Sequence, residues 1–99
     1  MERIGIIPMN KGEINKFLPQ LKNKWEVVED RKISYRFKFK TFKEAIKFVN
    51  KVADLAEEEN HHPNIHILYN KVKIVLSTHS IGGLSENDFI MAAKIEKLI

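Results

Sequence analysis

Residues 32–56 read KISYRFKFKTFKEAIKFVNKVADLA, and their hydrophobic period changes at Thr41. From residue 32 to residue 40, apolar and polar side chains alternate, which predicts a strand with one buried and one solvated face. Thr41 and Glu44 then stand at the spacing of a helix capping box. Apolar residues follow at three- and four-residue steps, namely Phe42, Ala45, Ile46, Val49, Val52, Ala53 and Ala56. The stretch therefore predicts a strand followed by a long amphipathic helix that packs on a sheet.

Further strands are predicted on both sides of this unit. Residues 25–29 predict a strand that pairs with the alternating segment through a tight turn. Residues 65–69 and 72–76 alternate in the same way on either side of Asn70-Lys71, which predicts a second hairpin. The chain therefore contributes two hairpins to one sheet.

Shorter helices are predicted at the two ends of the chain. Asn10 provides the N-cap of a first helix, which we expect to end near Pro19 because proline removes a helical hydrogen bond. Ser85 caps a last helix, whose inner face is predicted to hold Ile90, Ala93 and Leu98. The element order is then α-β-β-α-β-β-α. We expect an α+β fold with a four-stranded antiparallel sheet and helices packed on one face.

Length and composition restrict the possible classes of function. The 99 residues suffice for one core, so we expect residues 1–99 to form a single domain. Cysteine is absent, which excludes disulfides, thiolate metal sites and cysteine nucleophiles, and leaves histidine as the side chain that titrates near neutral pH. Because no stretch approaches the roughly 20 apolar residues of a membrane span, we expect a cytoplasmic protein with no membrane partner. The formal charge of +4 raises nucleic acid as a partner, but the lysines are scattered along the predicted strands and helices, so we expect none.

All four histidines fall in the second half of the chain, three of them close together in the sequence. Glu57 precedes His61 by four residues, one helical turn, so its carboxylate can reach that imidazole if the helix continues. Such a pair would raise the pKa of His61 and keep a proton donor charged near neutral pH. Pro63 disfavours a helical conformation at His62, and the second hairpin returns His79 toward the same end of the helix. We therefore expect three imidazoles to surround one hollow.

Simpler interpretations compete for several polar residues. His66 has no matching partner in any motif, so we expect it at an ordinary surface or edge position. A zinc site formed by His62, His66 and His79 is a minor alternative, because their spacing matches no established zinc motif. Helix capping alone explains Asp88, and Tyr69 fits equally well as a packing residue of its strand.

A wider pattern resembles a known family. An acidic residue, three further residues, His-His-Pro, an aromatic residue, a histidine and an aspartate occur at fixed gaps, as Glu57, His61, His62, Pro63, Tyr69, His79 and Asp88. This pattern is similar to the signature of the pterin-4a-carbinolamine dehydratases. The resemblance extends upstream through Leu18-Pro19 and Trp25 and covers nearly the whole chain. That family's fold has the element order predicted above.

The resemblance implies an enzyme of the hydro-lyase class. The expected reaction removes water from a 4a-hydroxytetrahydropterin, of the 4a-hydroxytetrahydrobiopterin type, and gives quinonoid dihydropterin in tetrahydropterin recycling. The family implies acid and base catalysis by histidine without a metal or another cofactor, and assembly as a homodimer or homotetramer. Two other roles stay open, namely a non-catalytic dimerisation or binding module of the same fold and a part in pterin-type molybdenum cofactor metabolism.

The resemblance also implies a role for each residue of the site. His61 and His79 would form the proton-transfer pair for the leaving hydroxyl. His62 would bind and orient the substrate, and Glu57 would tune His61. The expected substrate pocket also includes the neighbouring residues Asn60, Pro63, Ser77, Thr78 and Ser80. Asn60 stands where relatives can carry aspartate, which affects the expected fit of the substrate more than the reaction, because an amide hydrogen-bonds but adds no charge.

Overall fold

The computed structural model describes residues 7–99, which form three α-helices and four strands. The helices are α1 (Lys11–Phe17), α2 (Phe42–Glu59) and α3 (Glu86–Glu96). The strands are β1 (Glu26–Val28), β2 (Lys32–Lys38), β3 (Asn64–Leu68) and β4 (Lys71–Leu76), and short 3-10 turns occupy Leu18–Gln20 and His79–Ile81. None of the helices in residues 7–99 is long and apolar enough to cross a membrane. The predicted α+β class and element order are confirmed.

The four strands form one antiparallel sheet in the order β1-β2-β4-β3. β2 and β4 lie at its centre, where Ile33 pairs with Leu76 and Phe37 pairs with Val72. All four side chains are at most 3% exposed, so each stabilises the fold by about 1.5–3 kcal/mol relative to an exposed position. They lie on the face that the helices cover. The alternate positions of the same strands form an open face.

Two helix N-termini follow the predicted capping residues. Asn10 caps α1 through a complete capping box, and the helix ends, as predicted, before Pro19. At the start of α2, Thr41 Oγ1 accepts a hydrogen bond from Glu44 N–H at 3.1 Å. The Glu44 carboxylate accepts from the N–H of Lys40 at 3.2 Å, one residue earlier than a capping box requires. The helix therefore begins where the change of hydrophobic period indicates.

Helix α2 buries a narrower stripe than the apolar pattern predicted. Its buried residues are Ala45, Phe48, Val52 and Ala56. The Phe48 ring lies 4.9 Å from that of Phe37 between centroids, so Phe48 belongs to the core of this chain. Phe42 and Ala53 were predicted to face inward but are exposed, so the described chain leaves part of the apolar arc of α2 uncovered.

Helix α3 turns a different face to the core than predicted. Ile90 is 47% exposed, and Ala93 and Leu98 are only half-buried. The buried apolar residues are Phe89, Met91, Ala92 and Ile95. The helix contacts α2, and on its other side the Phe89 ring stacks on Phe17 of α1 at 5.7 Å between centroids. A helix covered from two sides has no single apolar stripe, so periodicity alone misplaced its inner face.

The last turn of α3 holds the loop that precedes β1. The Glu96 carboxylate accepts hydrogen bonds from Lys22 N–H at 2.9 Å, from Asn23 N–H at 2.7 Å and from Trp25 Nε1–H at 2.9 Å. Glu96 is 9% exposed and Trp25 is 3% exposed. This buried carboxylate therefore fixes the entry of the chain into the sheet.

Candidate active site

A left-handed turn at Asn60 ends α2 and releases His61 from the helix. Asn60 has φ 52° and ψ 44°, a conformation that asparagine tolerates better than most residues. Its N–H donates to the Glu57 carbonyl at 3.3 Å, and the His61 N–H donates to the Ala56 carbonyl at 3.1 Å. These two bonds form a Schellman motif. Backbone geometry thus gives Asn60 a local role, while its predicted contact with substrate stays a prediction.

The imidazole of His61 meets the buried carboxylate of Asp88. His61 Nε2 lies 2.6 Å from Asp88 Oδ1, and Asp88 is 0% exposed in the first turn of α3. The other oxygen, Oδ2, accepts hydrogen bonds from Thr78 Oγ1–H at 2.8 Å and from Ser85 N–H at 3.0 Å. The Thr78 and Ser85 hydroxyl oxygens lie 2.7 Å apart. Both oxygens of the buried carboxylate therefore have partners, as burial of a charge requires.

This contact keeps His61 charged to a higher pH than a free imidazole. The hydrogen bond with Asp88 raises the pKa of His61 above 6.5, burial opposes the rise, and the attraction of the Asp88 charge adds to it. Because Asp88 occupies Nε2, Nδ1 is the ring nitrogen left for a ligand. The His61 side chain is 16% exposed, so a small molecule can reach it from solvent.

Glu57 contacts His62, and the predicted pair of Glu57 with His61 is therefore wrong. Glu57 Oε2 lies 2.6 Å from His62 Nε2. The Schellman turn directs His61 toward α3. The next residue, His62, then lies beside the last turn of α2. Both side chains of the observed pair are more than half exposed, so water screens it and it adds little stability.

The second hairpin returns Ser77 and Thr78 to the histidine segment. If the register of β3 and β4 continues past its last pair, His62 lies beside Ser77 and His61 beside Thr78. The hydrogen bond from Thr78 to Asp88 agrees with that placement. The structure therefore joins the end of β4, the end of α2 and the start of α3 in one site.

His79 stands next to this cluster but makes no contact within it. It opens the 3-10 turn that follows Thr78, and its side chain is exposed. Among residues 7–99 its imidazole has no hydrogen-bond or ion-pair partner. Ser80 is also exposed, and Pro63 is half-buried. The backbone thus places His79 beside the His61 site, while its side chain remains unengaged by the part of the chain that the structure describes.

Tyr69 lies apart from the histidines. It has φ 54° at the turn between β3 and β4, where it is 67% exposed, so the packing interpretation is wrong. The five residues of β3 lie between it and Pro63, which at the strand rise is a distance of about 20 Å. Within one chain, Tyr69 is therefore remote from His61.

The structure also shows where His66 lies and bears on the predicted zinc alternative. His66 is exposed on β3, the surface position that was predicted. Within residues 7–99, no group of three or more histidine and acidic residues is placed to hold a metal ion. The zinc alternative built on His62, His66 and His79 therefore receives no support from the geometry.

Sequence reasoning missed the second role of Asp88. The residue does cap α3 together with Ser85, as expected. Capping uses one carboxylate oxygen, however, and the other binds His61. A usable signal was present in the neighbours, because Leu84 and Phe89 predict a buried helix start, and a buried carboxylate needs a cationic or donor partner.

Comparison with known proteins agrees with the fold. A family model described as pterin 4 alpha carbinolamine dehydratase matches residues 7–98. The chain belongs to the pterin-4a-carbinolamine dehydratase family. The matched range includes nearly all of the residues that the structure describes and every residue of the site above.

Some similar proteins are named only as dehydratases, and others are described as a coactivator or an assembly factor. A protein of Alkaliphilus metalliredigens, provisionally named a pterin-4-alpha-carbinolamine dehydratase, is 46% identical over 94 residues, which cover 95% of this chain and 85% of that protein. A solved structure from Brucella melitensis, described as a transcriptional coactivator/pterin dehydratase, has a TM-score of 0.85 and 37% identity, covering 92% of this chain and 97% of that one. Another, described as a pterin dehydratase-like protein that is a RuBisCO assembly factor in the alpha-carboxysome, has a TM-score of 0.66 and 26% identity over 78% and 90% of the two chains.

Proposed function

We propose that this chain is a pterin-4a-carbinolamine dehydratase that removes water from a 4a-hydroxytetrahydropterin and releases quinonoid dihydropterin. One observation carries the proposal, namely the 2.6 Å contact between His61 Nε2 and the buried Asp88 carboxylate. A hydroxyl leaves carbon more readily once it is protonated, and this contact raises the pKa of His61 and so favours the charged form of a proton donor.

In this proposal, His61 is the general acid. Its Nε2–H donates to Asp88, so the Nδ1–H of the imidazolium is the proton available to the hydroxyl on carbon 4a. Proton transfer converts that hydroxyl into water, and the carbon–oxygen bond breaks with its electron pair going to oxygen. Asp88 orients the ring and stabilises its positive charge without touching the substrate, so it is a positioning residue.

His79 is the general base in the same proposal. Its neutral imidazole accepts the proton of N5, and the N5 electron pair forms the double bond to carbon 4a as water departs. One proton is delivered and one is removed, so the net change is loss of one water molecule. Because the His79 side chain is exposed, solvent can return the two imidazoles to their starting protonation states.

His62 and its neighbours would hold the pterin. The contact with Glu57 occupies His62 Nε2 and leaves Nδ1 for the substrate, so we now assign Glu57 to the orientation of His62. Asn60, Pro63, Ser77 and Ser80 border the same segment and supply polar and flat apolar surface. The Thr78 hydroxyl already donates to Asp88, so its part is to hold that carboxylate in place.

A direct assay tests the proposed reaction. With 4a-hydroxytetrahydropterin supplied, wild type should accelerate dehydration, and His61→Ala and His79→Ala should each lower kcat about 100-fold, the order of a lost general acid or base. His66→Ala is the matched control, because His66 is exposed on β3 outside the site. A wild type that does not accelerate the reaction, or histidine variants that match the control, would overturn the proposal.

The wider setting is also proposed. We place the reaction in cytoplasmic tetrahydropterin recycling, carried out by a homodimer or homotetramer. The free edge of β3 supports assembly, since Ile67 is 43% exposed and Leu68 is 67% exposed beside unpaired backbone groups. Sedimentation over a range of concentrations measures the oligomer, and a monomer at all of them would contradict this part.

A binding role is the second candidate. It is favoured by the descriptions of the two solved relatives, one as a coactivator and one as an assembly factor. The same assay separates the candidates, because a pure binding module would leave the dehydration rate at its uncatalysed value. Replacing the substrate by a pterin of molybdenum cofactor metabolism in that assay tests the remaining alternative.

A further inference from the structure

The open face of the sheet carries a band of positive charge. Its outward positions on β2 and β4 hold five basic residues, Lys32, Arg36, Lys38, Lys71 and Lys73. Within residues 7–99 no ion pair joins any of them to a carboxylate. At the outward positions of the four described strands, Glu26 is the one acidic residue. The charge of this face is therefore not balanced within the described chain.

Like charges face each other directly across the two central strands. Arg36 pairs with Lys73, and Lys38 pairs with Lys71. Opposed side chains of this kind have Cβ atoms about 5 Å apart, and like charges at that separation destabilise a sheet. Two such pairs side by side reduce the stability of the free protein, so an anionic ligand would relieve a repulsion that the fold itself contains.

The Arg36–Lys73 pair belongs to a longer row. His66 of β3 pairs with Lys73, and the β1–β2 register, continued by one outward position, places Lys24 beside Arg36. Basic side chains thus cross all four strands over about 14 Å, three strand spacings. The row borders a shallow hollow of about 330 Å³ lined by Lys24, Glu26, Ser34, Tyr35, Arg36 and Lys73.

We propose that this open face binds nucleic acid through its phosphate groups. A row of three cationic side chains with a histidine at its end suits an extended chain of phosphates, and Arg36 can bind a phosphate with two parallel hydrogen bonds. The sequence pI of about 9.4 agrees with such a partner. A protein partner fits less well, because protein interfaces have an apolar or aromatic centre, and the centre of this face is Arg36 and Lys73.

The expectation from sequence that nucleic acid is not a partner depended on the lysines being scattered. Alternate residues of a strand share a face, so basic residues two apart in β2 and in β4 meet on one surface. The outward strand positions hold no Phe, Tyr or Trp on which a base could stack. Binding should therefore depend on phosphate charge alone, with duplex bound at least as tightly as single strand.

Fluorescence anisotropy tests this proposal. Binding of a labelled duplex, and of one of its strands alone, is measured for wild type and for the sheet variant, Arg36→Gln/Lys73→Gln. The control is Lys43→Gln/Lys47→Gln, which removes the same charge from exposed positions of α2. We expect wild-type affinity for duplex to fall about 10-fold or more between about 50 and 200 mM salt. At the lower salt, the sheet variant should bind about 10-fold more weakly than wild type, and its affinity should depend less steeply on salt. The affinity of the control variant should lie within about 2-fold of that of wild type.

Four results would overturn the proposal. They are no wild-type binding at about 50 mM salt, equal loss in the two double variants, a preference for single strand above about 10-fold, and equal competition by polyglutamate. The folded state is checked by thermal unfolding. Because the sheet variant removes a repulsive pair, its Tm should not lie below that of wild type, and Lys73→Gln alone provides a second variant with the same expected direction.

Discussion

His61 Nε2 lies 2.6 Å from Asp88 Oδ1, although 27 positions separate the two residues in the chain. His61 follows the C-terminal end of α2, and Asp88 belongs to the first turn of α3. The helix dipole favours a cation at the first of these ends and an anion at the second. The two helix ends therefore favour the charged form of the pair, beyond what direct contact provides.

The pKa of His61 should depend on Asp88. Asp88→Asn removes the negative charge and the strong acceptor that raise this pKa, so the His61 pKa should fall relative to wild type. Titration of the histidine ring signals by NMR measures the change directly.

Glu57→Gln is the matched control for this titration. Glu57 contacts His62, so the variant should leave the His61 pKa where it is in wild type. A fall of the His61 pKa in Glu57→Gln, with none in Asp88→Asn, would contradict the observed pairing and favour the pair that was predicted from the four-residue spacing.

Stability should also depend on pH through His61. Its folded pKa is raised above the ordinary 6.5, so its contribution is fully present below about pH 6.5 and is lost as pH rises through the folded pKa. Urea unfolding across this window should show wild type losing free energy of unfolding relative to His61→Gln, which lacks the titrating group. Parallel pH dependence in the two proteins would contradict the expected linkage.

Loss of the Glu96 carboxylate should destabilise the fold. Glu96→Ala leaves three N–H groups without their acceptor, one of them on buried Trp25, and should cost about 2–4 kcal/mol. Glu96→Gln keeps one acceptor oxygen and should cost less. Urea denaturation measures both, with Glu58→Gln at an exposed position of α2 as the control, expected within about 0.5 kcal/mol of wild type. A control that loses as much as Glu96→Ala would show that the three bonds contribute nothing specific.

Local patterns predicted the fold well where one physical signal dominated. Alternation gave β2 to within two residues of its observed end, and Thr41 marked the start of α2, because strand period and helix capping act within a few residues. The inner face of α3 could not be read in this way, since its two sides both pack. Ile90, which was predicted to face inward, is 47% exposed.

The contacts within the candidate site could not be predicted from the spacing of residues in the sequence. The four-residue spacing from Glu57 to His61 predicts contact only while the helix continues, and the left-handed residue Asn60 ends the helix before His61. Asp88 was recognised as a cap, but its contact with His61 requires the relative placement of α2 and α3. The basic row on the sheet likewise appeared only once the strand register was known.

The most direct measurement is the pH dependence of kcat/KM for dehydration of 4a-hydroxytetrahydropterin by wild type and Asp88→Asn. Because the acid form of His61 must be present, activity should decline as pH rises through the His61 pKa. In Asp88→Asn that decline should move to lower pH, so that kcat/KM lies below that of wild type at pH values above the His61 pKa of the variant. Superimposable profiles for the two proteins, or no acceleration by wild type at any pH, would contradict a proton donor held charged by Asp88.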